Sequence, residues 1–309
     1  MSNSRPYPQR PNGVSRRQFL AGLAATSVFS IVPRHVLGGE GNVAPSEKTT
    51  LAGIGVGGQG IQNMLRFAEF PEVQITAVCD VERECDRYMS WNWSQGKDTR
   101  LAGRDPARRA IEAAYAEQKG RGKYQGCNSY ADYRELLDKE DVDAVMVATP
   151  DHSHAMITLA AIRKGKHVYC EKPLTYSVYE AREVTEAARK AKVATQLGNQ
   201  GQAESIARMI QEYILDGAIG PVHEVYVPWG RGFWDPPAGP GRPEDMPPVP
   251  DTLDWDLWIG PAPMRPYHSC YHPWRWRDWW DFGTGQLGDL GCHKLSTIFK
   301  ALKLGSPTK

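Results

Sequence analysis

The stretch GVGGQG sets glycines at 55, 57 and 60 between a short apolar run (LAGI) and a segment of helical periodicity (IQNMLRFAEF). Such a turn handles phosphate with backbone alone. Gly55 permits a tight turn, Gly57 lets backbone come close to a pyrophosphate, and Gly60 lets a helix pack closely on a strand. The helix that follows, with Gln59 at its start, offers free N–H groups and a positive dipole end to an anion. Twenty residues past Gly60, Asp80 closes the run VQITAVCD, where a carboxylate can accept both ribose hydroxyls of an adenosine. The pattern predicts a dinucleotide site. Asp80 favours NAD, because a carboxylate repels a 2′-phosphate, while Arg83 and Arg87 lie close enough to admit NADP.

A site of this kind needs strands that end at one edge, and the chain supplies candidates in alternation with helices. A strand is expected to end near Ile54, a helix to run from about Ile61 to Phe70, and a second strand to end at Asp80. DPARRAIEAAYAEQK and YADYRELLDKE read as helices, VDAVMVAT as a buried strand, SHAMITLAAIRKG as an amphipathic helix ending at Gly165, and KHVYC as the next strand. This order predicts a doubly wound parallel sheet with its ligand outside the carboxyl ends of the strands. Thr149, Pro150 and His154, then Glu171 and Lys172, are thereby expected beside the cofactor.

The first forty residues read as an address. Arg5, Arg10, Arg16 and Arg17 form a basic start without acids, followed by an apolar run from Phe19 to Val32 that is too short and too polar to span a membrane. The offsets in SRRQFL resemble the twin-arginine signal, whose machinery exports folded proteins and would be a partner here. Residues 1–43 are expected to be leader and linker, and the location to be periplasmic or otherwise exported. The remaining length is enough for two domains, expected at 44–200 and 201–309.

Lys plus Arg of 37 against Asp plus Glu of 36 leaves a net charge of +1, which argues against nucleic acid as a partner. The six cysteines show no metal-ligand spacing and are expected to be free thiols; no metal site is expected.

At ATPDHSHA and GKHVYCEKPLT, together with CDVE, DYRELL, LGNQG and GDLGCH, the chain resembles the Gfo/Idh/MocA family, the group of glucose-fructose oxidoreductase and inositol dehydrogenase. The resemblance implies a Rossmann domain followed by an α+β domain with a large open antiparallel sheet. It also implies a carbohydrate substrate between nicotinamide and that sheet, and a dimer or tetramer. Lys172 of EKP matches the family's active-site lysine, a cation that can hydrogen-bond the reacting oxygen and favour its alkoxide form. Asp289 and His293 match its Asp and His. On a helix their spacing would put both on one face, the carboxylate holding the imidazole tautomer and His293 accepting a proton from a carbinol. Asn199 of LGNQG joins the candidates for substrate contact. An acid common in the family three residues after this histidine is Ser296 here, which puts part of the polar network in question.

Residues 228–282 form an arm unlike either half. Eight of the ten tryptophans fall between Trp229 and Trp280, and twelve of the 23 prolines between Pro228 and Pro273. So many prolines exclude regular helix and sheet. Two readings stand level: a rim where Trp276 and Trp280 stack on a sugar while Arg275, Arg277 and Asp278 bond its hydroxyls, or an arm packed by its indoles. After the nucleotide domain a single strand is expected, VHEVYV at 222–227, so the second sheet is expected to be truncated. Three functions follow: an exported oxidoreductase acting on a sugar or polyol with NAD, or NADP, tightly bound; an NAD-dependent glycosidase working by transient oxidation and elimination; or a non-enzymatic nucleotide or sugar binder.

Overall fold

A computed structural model describes residues 43–89, 99–118, 120, 122–228 and 241–305. The leader, Trp91 and Trp93, and the GRGFW stretch with Trp229 and Trp234 lie outside the described residues. The chain divides into two compact units, Met1–Glu47 and Lys48–Lys309, and of the first only a 3-10 turn at Pro45–Glu47 forms a described element.

Six strands of the second unit form one sheet in the order β5-β2-β1-β6-β7-β8, with every neighbouring pair parallel: β1 (Thr49–Ile54), β2 (Val73–Cys79), β5 (Asn128–Tyr130), β6 (Ala144–Val147), β7 (His167–Glu171) and β8 (Thr195–Gly198). This is the expected doubly wound sheet. Helices cover both faces, so the central strands bury side chains alternately into two cores. Met146 joins Leu51, Ile75, Met64 and Ile111 on one side; Val145 and Val147 join Ala52, Ile54, Leu136 and Ala161 on the other. The helices are α1 (Gln59–Ala68), α2 (Arg104–Gln118), α3 (Tyr133–Lys139), α4 (Asp151–Arg163) and α5 (Val178–Ala191). Asp132 caps α3 and a Ser177–Glu180 capping box starts α5, which satisfies N–H groups that would otherwise be orphaned.

Between β2 and α2 the polar stretch holds an antiparallel pair, β3 (Cys85–Met89) and β4 (Thr99–Ala102). Sequence reading left it unassigned, since neither strand carries a clear alternation.

Beyond Gly198 the described residues contain α6 (Ser205–Leu215), α7 (Trp255–Ile259) and α8 (Gly285–Ala301) but no strand. The predicted strand VHEVYV is irregular and mostly exposed. Its β-formers have no described neighbour to take their backbone hydrogen bonds, and a lone strand leaves those groups to water. The arm, by contrast, is packed. Leu253, Trp255, Trp258, Tyr267, Tyr271, Trp276 and Phe282 form a third core, in which Trp255 stacks on Trp258 at 4.7 Å and Phe282 meets Trp258 edge-on at 4.7 Å. All six cysteines are free, five of them buried.

Candidate functional site

A cavity of about 640 Å³ opens over the carboxyl ends of β1, β2, β6 and β7, where the strand order reverses between β1 and β6. Gly55, Gly57, Gln59, Asp80, Thr149, Pro150, His154, Glu171, Lys172, Asp289, His293 and Trp276 all line it; Asn199, Arg275 and Trp280 do not.

The glycines are required by close approach. At Gly55 φ is +81°, a region unfavourable to side chains, and a Cβ would stand 2.7 Å from the backbone of Ala148 and Thr149. A Cβ on Gly60 would stand 1.9 Å from the Gly55 carbonyl oxygen, so no larger residue lets α1 start there. The space of a Gly57 Cβ belongs to Tyr88, whose ring carbons would be 2.3 Å away. It is a ring from β3, packed on Gly57, that keeps a side chain out at this position.

Asp80 follows β2 and is buried; its Oδ1 accepts the Glu82 N–H at 2.9 Å. Burial pushes its pKa up to about 6, against the lowering effect of the backbone N–H groups of Glu82, Gly57 and Val56. Arg87, near in sequence, donates instead to the Tyr267 hydroxyl at 2.9 Å. The site fits a dinucleotide. Its cradle leaves no room for a side chain at Gly55, Gly57 or Gly60, a carboxylate stands at the end of β2, and the buried Thr149 Oγ1, among the described residues, has no partner.

At the other end, Glu171 takes Asn63 Nδ2 and Gln200 Nε2 on Oε1, each at 2.6 Å, and Gln59 in turn donates to Asn63 at 2.9 Å. Lys172 follows directly. Its Nζ bonds both the carboxylate and, at 3.0 Å, the carbonyl oxygen of Asp289. Arg277 Nε lies 3.4 Å from the second carboxylate oxygen, and its guanidinium sits between the rings of Trp274 and Trp276 at 4.2 and 4.1 Å. Burial alone would raise the Asp289 pKa; the guanidinium and the ammonium hold it below the ordinary carboxylate value.

Asp289 and His293 do share a helix, α8, as their spacing predicts. The expected bond between them is replaced, because two cations compete for the carboxylate and a neutral ring cannot match them. His293 Nδ1 faces the Gln200 carbonyl at 3.1 Å instead. That oxygen can only accept, so Nδ1 carries the proton and Nε2 is left as an acceptor. Burial first, then the Lys172 charge, lowers the His293 pKa and keeps the ring neutral near pH 7.

Asn199 braces this helix from outside, donating to the Cys292 carbonyl at 3.2 Å, and Gln202 does the same at His293. Arg275 and Trp280 are exposed, Trp280 by 85%. The 3-10 turn Arg275–Asp278 aims Trp276 and Arg277 inward and Arg275 out. Arm residues therefore pack as core and also wall the cavity: Trp255 belongs to the core, Trp274 to the wall, and Trp258 and Trp276 to both. Sequence reasoning missed Tyr88 and Gln200, which reach the site only through tertiary packing, and it gave Arg277 to substrate hydroxyls, where the fold gives it to Asp289.

Two models of one oxidoreductase family match the chain, its NAD-binding Rossmann fold over residues 50–199 and its C-terminal alpha/beta domain over residues 207–304. The chain belongs to this family, Gfo/Idh/MocA, and its nucleotide domain is an NAD-binding one. It is similar to 1,5-anhydro-D-fructose reductase of Ensifer adhaerens, 41% identical over 138 residues that cover 42% of this chain and 40% of the relative. It is also similar to alpha-N-acetylgalactosaminidase of Shewanella oneidensis, 24% identical over 238 residues covering 69% of this chain and 47% of the relative. Of solved structures, an NAD-binding protein from Listeria innocua is 24% identical, with a TM-score of 0.39 over 56% of this chain and 42% of the other. The chain spans less than half the length of each.

Proposed function

We propose that the protein moves a hydride between a carbinol carbon of a sugar or polyol and NAD, and that it is exported folded, with its cofactor already bound. The observation that carries the chemistry is the meeting of Lys172, Asp289 and His293 on one cavity with the glycine loop and Asp80. Bound NAD supplies the hydride acceptor. Neutral His293 takes the hydroxyl proton at Nε2, the face that the Gln200 carbonyl leaves open. Lys172 donates to the same oxygen and stabilises the alkoxide as the proton departs, in a site where Trp274 and Trp276 displace water. Asp289, anchored by Arg277, fixes the ammonium in place. The names of similar proteins, 1,5-anhydro-D-fructose reductase and levoglucosan dehydrogenase, support a carbohydrate substrate. A panel of sugars and polyols, followed by nicotinamide absorbance, tests this; no turnover on any member by protein shown to bind NAD would sink it.

Support for export is the SRRQFL sequence and the apolar run behind it. Residues 1–43 fused to a folded reporter should deliver it across the inner membrane, and Arg16→Lys with Arg17→Lys should stop delivery. Indifference to that pair would refute twin-arginine transport.

One observation favours a second reading. The matches to proteins named as glycosyl hydrolase family 109 run through both halves of the chain, over 238 residues. If transient oxidation serves elimination, a chromogenic aryl glycoside should release its leaving group without net change in NAD. Silence across an α- and β-glycoside panel would set this reading aside.

A further inference from the structure

The β3–β4 pair lies outside the doubly wound core, yet two of its side chains close on the glycine loop. Arg100 Nη2 donates to the carbonyl oxygens of Gly57 at 3.2 Å and Gly58 at 2.6 Å. In a planar trans peptide C=O and N–H point in opposite directions. Turning those two carbonyls toward Arg100 therefore turns the N–H groups of Gly58 and Gln59 the other way. Both belong to the cap and first turn of α1, where no intrahelical carbonyl can receive them.

Tyr88 pins the same peptide from the cavity side, filling the space where a Gly57 Cβ would stand. Its hydroxyl lies 3.3 Å from His272 Nε2, with the rings edge to face at 5.7 Å. His272 Nδ1 faces the carboxylate of Glu82, itself fully buried, at 3.9 Å. That charge favours the proton on Nδ1 and leaves Nε2 to accept from Tyr88. The arm is stitched to the same place by backbone: Arg83 N donates to Thr252 O at 2.7 Å, and Asp254 N to Val81 O at 3.1 Å. Arm, hairpin and glycine loop form one connected support.

We propose that Arg100 and Tyr88 are positioning residues that hold the glycine loop with its N–H groups aimed at the diphosphate of the dinucleotide, so that the hairpin and its arm retain bound cofactor. This rests on the NAD reading of the site. A protein that must keep its cofactor where none is supplied would gain from a loop already set for the anion, because binding then spends little on ordering it.

The test uses the full chain, titrated with NAD, ADP and adenosine by calorimetry or competition. Arg100→Ala should weaken NAD and ADP by about tenfold or more, the worth of one hydrogen bond to a charged group, and leave adenosine within about twofold. Arg100→Lys should recover part of the loss, since an ammonium restores a charged donor to these carbonyls but on a shorter side chain without the fixed plane of a guanidinium. Tyr88→Phe should speed NAD dissociation less than Arg100→Ala does. Unchanged NAD affinity in Arg100→Ala, or equal weakening of all three ligands, overturns the proposal. Should the alanine variant fail to fold, Arg100→Gln is read by the same criteria. A wild type that binds none of the three overturns the NAD reading itself, and the clamp with it.

Discussion

From Thr49 to Gly198, strands hand hydrogen bonds to their neighbours and helices cover both faces; from Asn199 to Gly305, no described strand exists, and between its three helices rings and side-chain-to-backbone bonds hold the chain together. In the second region Trp255 Nε1 donates to the Arg265 carbonyl at 2.7 Å and Trp279 Nε1 to that of Cys270 at 2.9 Å. His152, at the start of α4, turns its two ring nitrogens to the carbonyls of Phe282 and Trp258 at 3.2 and 3.1 Å. Burial lowers its pKa to about 4, so the ring is neutral near pH 7 and donates to one of the two carbonyls only. The comparison teaches where each function resides. The regular half presents a dinucleotide cradle at strand ends, and the irregular half supplies what closes it: Asp289, Arg277 and the wall of indoles.

The contrast can be broken at four points. The largest effect is expected where the halves meet chemically. Lys172→Met removes the cation bound to Asp289 and should lower turnover by about 10²- to 10⁴-fold, while NAD affinity, set by the other end of the cavity, stays close to wild type. Turnover near the wild-type rate would remove Lys172 from the chemistry.

Next is the aromatic core. Phe282 is fully buried, among His152, Trp258 and Tyr271, with the Arg265 guanidinium 4.6 Å from its ring. Phe282→Ala should cost about 3–5 kcal/mol in denaturant unfolding if this region is packed as tightly as the sheet. A loss under about 1 kcal/mol would mean that the arm contributes little core of its own.

Asp80 sharpens the comparison from the nucleotide side. Only its ionised form accepts both ribose hydroxyls, and burial sets its pKa at about 6, so NAD affinity should fall as pH drops through 6, approaching tenfold per unit. The free protein should respond in the opposite sense. The folded pKa stands above the unfolded 3.8, so this group's stabilisation is full below 3.8 and is lost as pH rises through about 6. Asp80→Asn should flatten both profiles, measured by calorimetric titration and by melting across pH 4 to 8. Profiles that keep their slope in the variant would assign the dependence to another group.

The smallest effect belongs to local structure. Ser177 accepts the Glu180 N–H at 3.3 Å while Glu180 reaches back to the Ser177 N–H at 2.9 Å. Ser177→Ala should cost about 1 kcal/mol of stability and leave NAD affinity alone. A shift in NAD affinity would show that α5 is coupled to the cavity.

What the sequence determined by itself is the regular half and its ligand. Glycines at 55, 57 and 60 stand where backbone meets backbone; their spacing and the acid after the second strand report local geometry, and local geometry survives in the order of residues. Apolar runs likewise carried β1, β2, β6 and β7, because a strand buried on both faces must be apolar throughout, but they did not reveal β3, β4 or β5. Spacing placed Asp289 and His293 on one helix but could not say what each would bond. Only the tertiary structure decided that Lys172 and Arg277 take the carboxylate, that the Gln200 carbonyl takes the imidazole, and that Tyr88, 31 residues past Gly57, fills the space beside it. It also decided the fate of VHEVYV, whose strand propensity finds no neighbour, and of Arg275 and Trp280, which face solvent at the start of a 3-10 turn and just beyond its end. These outcomes depend on competition between partners far apart in the chain, and the strongest charge or best-fitting ring wins by position in space.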